Sequence, residues 1–243
     1  VKTVKVKVYS FDELSDEAKE RALEKWNENS DHFWGHEVRD TIKAFEEEFD
    51  VKIVDWSYSP WDCSYSLDTS RISDDVLALK GNRARAWFWN NHGRMLLQPE
   101  YHYWTHDKNG KLFRAVAVDS RKYTSKVFFS RVYDGTCPLT GVCFDCDALD
   151  PMAYFCFGTM WDEKLKKRVQ SPYRKLAQDN DTVESILDDC VASLFQGAKE
   201  DWKCQQSMEN FKDICEANDY LFTEDGKMWS RKYEANKQEA VAS

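Results

Sequence analysis

Four cysteines in one stretch are the residues most able to do chemistry: Cys137, Cys143, Cys146 and Cys156, in CPLTGVCFDCDALDPMAYFC. Zinc takes four thiolate or imidazole ligands in a tetrahedron, and Cys143 and Cys146 have the spacing of half such a site. Cys137 and Cys156 could complete it. Against this, VCFDC lacks the glycine that zinc knuckles use for their tight turn. On a strand, residues three apart face opposite sides. Cysteine is also among the most often buried residue types. The sequence favours a turn at 138–141, a short buried strand and a loop near Asp150-Pro151, with no metal and no other cofactor.

The histidines offer less. His32 and His36 lie four apart, and HEVRD has Asp40 where a zincin helix would carry its second histidine. His102 and His106 repeat the spacing. Both pairs read as hydrogen-bonded or solvated histidines. Phosphate-cradling glycine loops, a nucleophile elbow and a dinucleotide fingerprint are all missing. The carboxylate runs EEEFD and LDDC read as solvated helix faces. No residue anchors an enzyme reading, so the expectation is a protein without catalytic residues.

Binding chemistry is better represented. Lys80, Arg83 and Arg85 precede Trp87, Phe88 and Trp89, and Arg121, Lys122, Lys126 and Arg131 interleave with Tyr123, Phe128 and Phe129. Arginine beside aromatics suits nucleic-acid backbones and bases, and protein hot spots equally well. The same cations could instead pair internally with acidic flanks. Residues 1–50 carry 8 basic and 14 acidic groups, residues 80–133 carry 11 and 3, and residues 134–243 carry 13 and 21. A basic middle between acidic flanks is a field that steers partners. On the acidic side, Glu17, Glu20 and Glu24 share one helical face and are candidates for a basic partner.

The elements that position these groups follow from periodicity. Val4, Val6 and Val8 alternate with lysines as a strand would. Ser10 with Glu13 fits a capping box, Ser15 is a second cap, and Leu14, Ala18, Ala22 and Trp26 mark an amphipathic helix. A second helix spans 34–49, with Val38, Ile42, Phe45 and Phe49 inward. VKIVDWSYSPWDCSYSLD reads as a hairpin turning at Ser59-Pro60. The interval 74–90 reads as a helix that Gly81 weakens. NGKLFRAVAVDS and SKVFFSRVY read as strands. Asp181 with Glu184 opens a helix whose apolar positions run from Val183 to Phe195, with Gly197 as its stop. A helix from 199 and a hairpin around Asp225-Gly226 follow, then a frayed tail.

The result is an α+β fold of antiparallel hairpins and amphipathic helices, with a helical pair near the C-terminus. One body over 1–243 is expected, with parts 1–72, 73–160 and 161–229. No signal-peptide pattern and no membrane-length apolar run is present, which predicts a cytoplasmic protein with reduced cysteines and no membrane partner.

Three stretches together resemble a group of bacteriophage and prophage proteins often labelled "antitoxin of toxin–antitoxin stability system": VYSFDELSDEAKERALEKW at 8–26, LTGVCFDCDALDP at 139–151 and ANDYLFTEDGKMW at 217–229. They cover about a third of the chain. The resemblance implies a phage or mobile-element origin and a bacterial host cell, and transfers no catalytic residue. It also implies a structural turn rather than a cysteine quartet at 137–156. The expected function is inhibition of a host defence factor by binding, for example an anti-CRISPR protein that occludes a ribonucleoprotein nuclease. An antitoxin capping a toxin protein and a nucleic-acid-binding protein using the basic middle are the alternatives.

Overall fold

The structure, a computed structural model, describes residues 6–28, 30–116, 125–132, 137–142, 144–157, 159–162, 167–170 and 180–229. Arg121, Lys122, Tyr123, Cys143, Val4 and the tail from 230 lie outside them. The fold is α+β, built from helices and small antiparallel pairings.

The described chain forms two compact units. Unit 1 takes Val1–Gly35, Ser59–Trp61 and Lys199–Ser243, and unit 2 takes His36–Tyr58 and Asp62–Ala198. Each has its own apolar core.

In unit 1, strand β1 (Tyr9–Ser10) pairs antiparallel with β9 (Leu221–Phe222). The pairing starts after the alternating valines, so Val6 and Val8 precede the strand. Ser10 and Glu13 form the expected capping box around a short 3-10 turn, and the Ser15 hydroxyl accepts from Ala18 N–H to cap α1 (Asp16–Asn27). Helix α7 (Met208–Ala217) starts at Ser207, whose hydroxyl accepts from Asn210 N–H. Phe11, Ala18, Ala22, Phe211 and Phe222 close the core, with Phe11 edge-on to Phe211 at 5.2 Å. The β9 hairpin turns at Gly226, φ 84°, where a side chain would run into the Ala18 carbonyl.

In unit 2, α2 (Gly35–Phe49) leads to the hairpin β2 (Lys52–Tyr58) and β3 (Cys63–Asp68). The expected 74–90 helix is two helices, α3 (Asp74–Leu77) and α4 (Asn82–Leu96). Between them Gly81 has φ 53°, a left-handed conformation that glycine adopts without steric cost. Strand β4 (Leu97–His106) then forms the centre of a sheet of order β5-β4-β6, with β5 (Leu112–Val116) and β6 (Ser125–Ser130). Pro99 lies within this central strand, where proline is unusual because it cannot donate to the ladder. A further pair, β7 (Thr159–Asp162) and β8 (Lys167–Gln170), follows.

Two expectations in this region are corrected. The strand and loop assigned to the cysteine stretch are one helix, α5 (Phe144–Phe157), with Pro151 inside it. Phe144, Ala148, Leu149, Met152, Ala153 and Phe155 are buried with helical spacing, and this burial outweighs the break that Pro suggests. Helix α6 (Val183–Gln205) does not stop at Gly197. A Cβ at Gly197 would lie 2.6 Å from Asp147 Cγ, so glycine here permits a close helix approach. The cap of α6 is also shifted by one residue. Thr182 and Ser185 exchange hydrogen bonds, Thr182 N–H to Ser185 Oγ at 2.9 Å and Ser185 N–H to Thr182 Oγ1 at 3.0 Å. The unit 2 core fully buries Phe45, Phe88, Phe195, Leu149 and Met152, each aromatic contributing about 1.5–3 kcal/mol.

Among the described residues, no helix is long and apolar enough to cross a membrane.

Candidate functional site

Two exposed large aromatics of unit 1 sit on a segment that polar contacts around the buried His32 hold in place. His32 is 8% exposed; its Nε2 lies 2.8 Å from Asp201 Oδ2, and its ring stacks on Trp202 at 5.5 Å. Gln205 Nε2 donates to the same Asp201 oxygen at 2.6 Å, and Phe33 N–H donates to Gln205 Oε1 at 3.0 Å. Residues 32–33 are thereby fixed to the last turns of α6. With His32 facing inward, Phe33 and Trp34 face outward, 70% and 40% exposed, their rings edge to face at 4.5 Å. Trp61, at the hairpin turn, is 75% exposed, and the Lys203 ammonium lies 5.7 Å from its ring centroid. Three projecting aromatics lie in one small unit, and exposed aromatics of this kind suit a macromolecular partner.

The same unit carries α1. Glu17, Glu20 and Glu24 are all exposed, in line with their helical phase. The Glu17 carboxyl is held below the usual range, first by its own backbone N–H at the helix N-terminus and then by the Ser15 hydroxyl. The acidic face is not uniform. Arg21 Nε donates to the Asp225 carbonyl at 3.1 Å, and Lys25 pairs with Glu28 at 3.0 Å.

The basic residues do not assemble so simply. Lys80 and Arg83 are exposed at the start of α4. Arg85 instead spends its guanidinium internally: Nε donates to the Phe155 carbonyl at 2.9 Å, one terminal nitrogen donates to Asn82 Oδ1 at 3.0 Å, and the group lies 5.3 Å from the Phe155 ring centroid. Lys126 lies on the edge strand β6.

Asp145, the carboxylate inside the cysteine stretch, is completely buried and accepts five hydrogen bonds. Leu139, Thr140 and Gly141 N–H donate to Oδ2 at 2.8, 2.6 and 3.1 Å; the Thr140 and Thr41 hydroxyls donate to Oδ1 at 2.7 and 3.1 Å. The LTG turn is therefore a cradle that compensates one buried charge. Around it, Cys146 donates its thiol to the Val132 carbonyl at 3.0 Å. Burial first, and then Cys137, push the Cys146 thiol up to about 12; burial does the same for Cys156. Among the described residues no group of three or more histidines, cysteines and carboxylates could hold a metal ion.

Comparison with family models, with curated proteins and with solved structures finds no match.

Unit 2 has a cleft of about 480 Å³ between Ala44, Glu47, Glu48, Met95, Arg131, Pro138 and Leu139. Glu48 turns one oxygen to His92 Nδ1 at 2.9 Å, and His92 is buried against Phe49, Trp87 and Phe88. This pair ties α2 to α4. The reading of EEEFD as a solvated face fails at Glu46 alone. Glu46 accepts from Ile53 N–H and from Lys52 Nζ, both at 2.8 Å, while Glu47 and Glu48 stay exposed. Of the four histidines singled out, His32 is a buried structural residue, while His36 and His106 are exposed. His102 lies on β4 between Val116 and Ser125.

The sequence reading missed Phe33, Trp34 and Trp61. The available signals were adjacent aromatics just ahead of a helix start, where both rings cannot face one core, and a Trp after Pro at a hairpin tip.

Proposed function

We propose that the chain is a binding protein without catalytic residues, and that unit 1 docks on a basic surface of its partner. The observation that carries this is the exposure of Phe33, Trp34 and Trp61 in the same unit as the Glu17, Glu20 and Glu24 face of α1. Aromatic anchors supply buried area at an interface, and carboxylates supply steering and rejection of wrong partners. Given the phage-type resemblance of segments 8–26, 139–151 and 217–229, the partner is a host defence factor, such as a CRISPR nuclease. Such enzymes present basic nucleic-acid channels, which an acidic helix can occupy as a mimic. The antitoxin reading uses the same surface on a toxin protein. The nucleic-acid reading is weaker, because Arg85 is engaged with Phe155 and the net charge of −9 repels nucleic acid at long range.

The test is DNA cleavage by a panel of purified CRISPR ribonucleoproteins with and without the full chain. Inhibition is expected for at least one effector, and a Phe33→Ala/Trp61→Ala variant should lose most of it while melting like the wild type. If no effector is inhibited and the protein instead shifts nucleic acid in gels with steep salt dependence, the third reading replaces this one.

A further inference from the structure

The turn end of the β4–β5 hairpin exposes large side chains. Trp104 is 57% exposed and Leu112 is 53% exposed. His106 stands opposite Leu112 in the antiparallel ladder, and Trp104 precedes it by two residues on the same strand. Side chains two apart on a strand share a face, so Trp104, His106 and Leu112 form one exposed surface. The turn that closes the hairpin is held by its own hydrogen bonds. Asp107 Oδ1 accepts from Asn109 N–H at 2.8 Å and from Lys111 N–H at 2.9 Å. Asp107 N–H donates to the Lys111 carbonyl at 2.9 Å, and Gly110 N–H donates to the Asp107 carbonyl at 3.0 Å. Lys108 and Lys111 are exposed on this turn, two cations against one aspartate in a chain of net charge −9.

We propose that this hairpin face binds single-stranded nucleic acid, with bases stacked on Trp104 and His106 and phosphates drawn to Lys108 and Lys111. The charge of the turn fits a polyanion, and the rings fit one with flat apolar faces. An acidic protein segment would satisfy the lysines and leave the indole without a matching plane. Spacing separates a single strand from a duplex. Trp104 and His106 stand about 6.8 Å apart along β4, at about 3.4 Å per residue. Bases in a duplex strand rise about 3.4 Å each, half that interval. An extended single strand can open to the wider interval and lay successive bases on the two rings, which a duplex strand cannot do. Leu112, beside His106, adds apolar contact. Every base has a π face, so the surface is tolerant of sequence. It belongs to unit 2 and uses none of Lys80, Arg83, Arg85, Arg121, Lys122 and Lys126, the cations of the alternative nucleic-acid reading. Two lysines also give a shallow salt dependence, unlike a long basic surface.

Fluorescence anisotropy of labelled oligothymidylate, titrated with the full chain at low salt, tests this. Saturable binding is expected, with a duplex of the same length bound several-fold more weakly. Trp104→Ala should weaken binding about tenfold, and Trp104→Phe much less. Lys108→Ala/Lys111→Ala should reduce the slope of log affinity against log salt by about 1.4. These positions are exposed, and each variant should melt like the wild type. The Phe33→Ala/Trp61→Ala variant should bind the oligonucleotide unchanged, which keeps this site apart from the docking function of unit 1. No binding, a duplex bound as tightly as the single strand, or unchanged affinity in Trp104→Ala would overturn the proposal. Displacement of the oligonucleotide by polyglutamate at equal charge would overturn it in favour of an acidic protein partner. Loss of binding confined to Lys80→Ala/Arg83→Ala would overturn it in favour of a site on α4.

Discussion

Asp145 concentrates more consequence than any other single side chain described. Its five donors include three backbone N–H groups. Replacing it with alanine strips the acceptor from those part-buried donors, a loss of about 3 kcal/mol, whereas Thr41→Val removes one hydroxyl and costs about 1 kcal/mol. Chemical denaturation of the two variants checks the ratio. A second residue reports on pH. The Asp225 carboxyl is held down at about 2, by Lys227 first and then by the Thr223 hydroxyl. Its folded value lies below the unfolded one, so the stabilisation is present above about pH 4 and disappears as pH falls through about 2. An Asp225→Asn variant should be less stable than wild type at pH 6, and the gap should close on acidification; a gap independent of pH would refute the assignment. Neither residue could be singled out beforehand. An Asp after Phe144 or an Asp before Gly226 looks like any turn carboxylate until the chain has folded around it.

Helices made their own signature legible where the apolar period was unbroken. Val183, Ile186, Leu187, Cys190, Val191, Leu194 and Phe195 are all buried along α6, as their spacing required. The phase of α1 likewise placed Glu17, Glu20 and Glu24 outside. Local rules failed where distant contacts decide. Gly197 looks like a stop but meets Asp147 of α5, Pro151 looks like a break but lies in a buried helix, and β4 exists only because β5 and β6 pair with it. Arg85 was grouped with Lys80 and Arg83, yet its partner is a carbonyl 70 residues away. Gly197 offers a test of sign. Gly→Ala within a helix ordinarily stabilises by about 1 kcal/mol. Here the added methyl group meets a carboxylate, and Gly197→Ala should destabilise by about 1–3 kcal/mol. Combining it with Asp147→Ala should restore much of the loss, and thermal melts of the single and double variants decide.

For the whole molecule, charge and connectivity matter more than any contact. Reversing Glu17, Glu20 and Glu24 to lysine should slow association with a basic partner about tenfold at low salt and flatten the dependence on ionic strength. Stopped-flow association across salt concentrations measures both; an unchanged on-rate would remove the steering role of α1. The same unit has a further property, set by where its pieces lie in the chain. Tyr9 pairs with Phe222, and the α1 side of the core is closed by Phe211 and Cys215 of α7. On the ribosome, α1 therefore emerges long before its partners exist. At ordinary synthesis speeds of about 5–20 residues per second, it waits roughly 10–40 s for α7 and β9. Throughout that interval Phe11, Leu14, Ala18 and Ala22 have no core to enter, while the segments of unit 2 are being completed behind them. The nascent chain thus displays an apolar stripe flanked by carboxylates, the kind of surface that holding chaperones grip, and a ribosome stalled before residue 211 would leave it displayed.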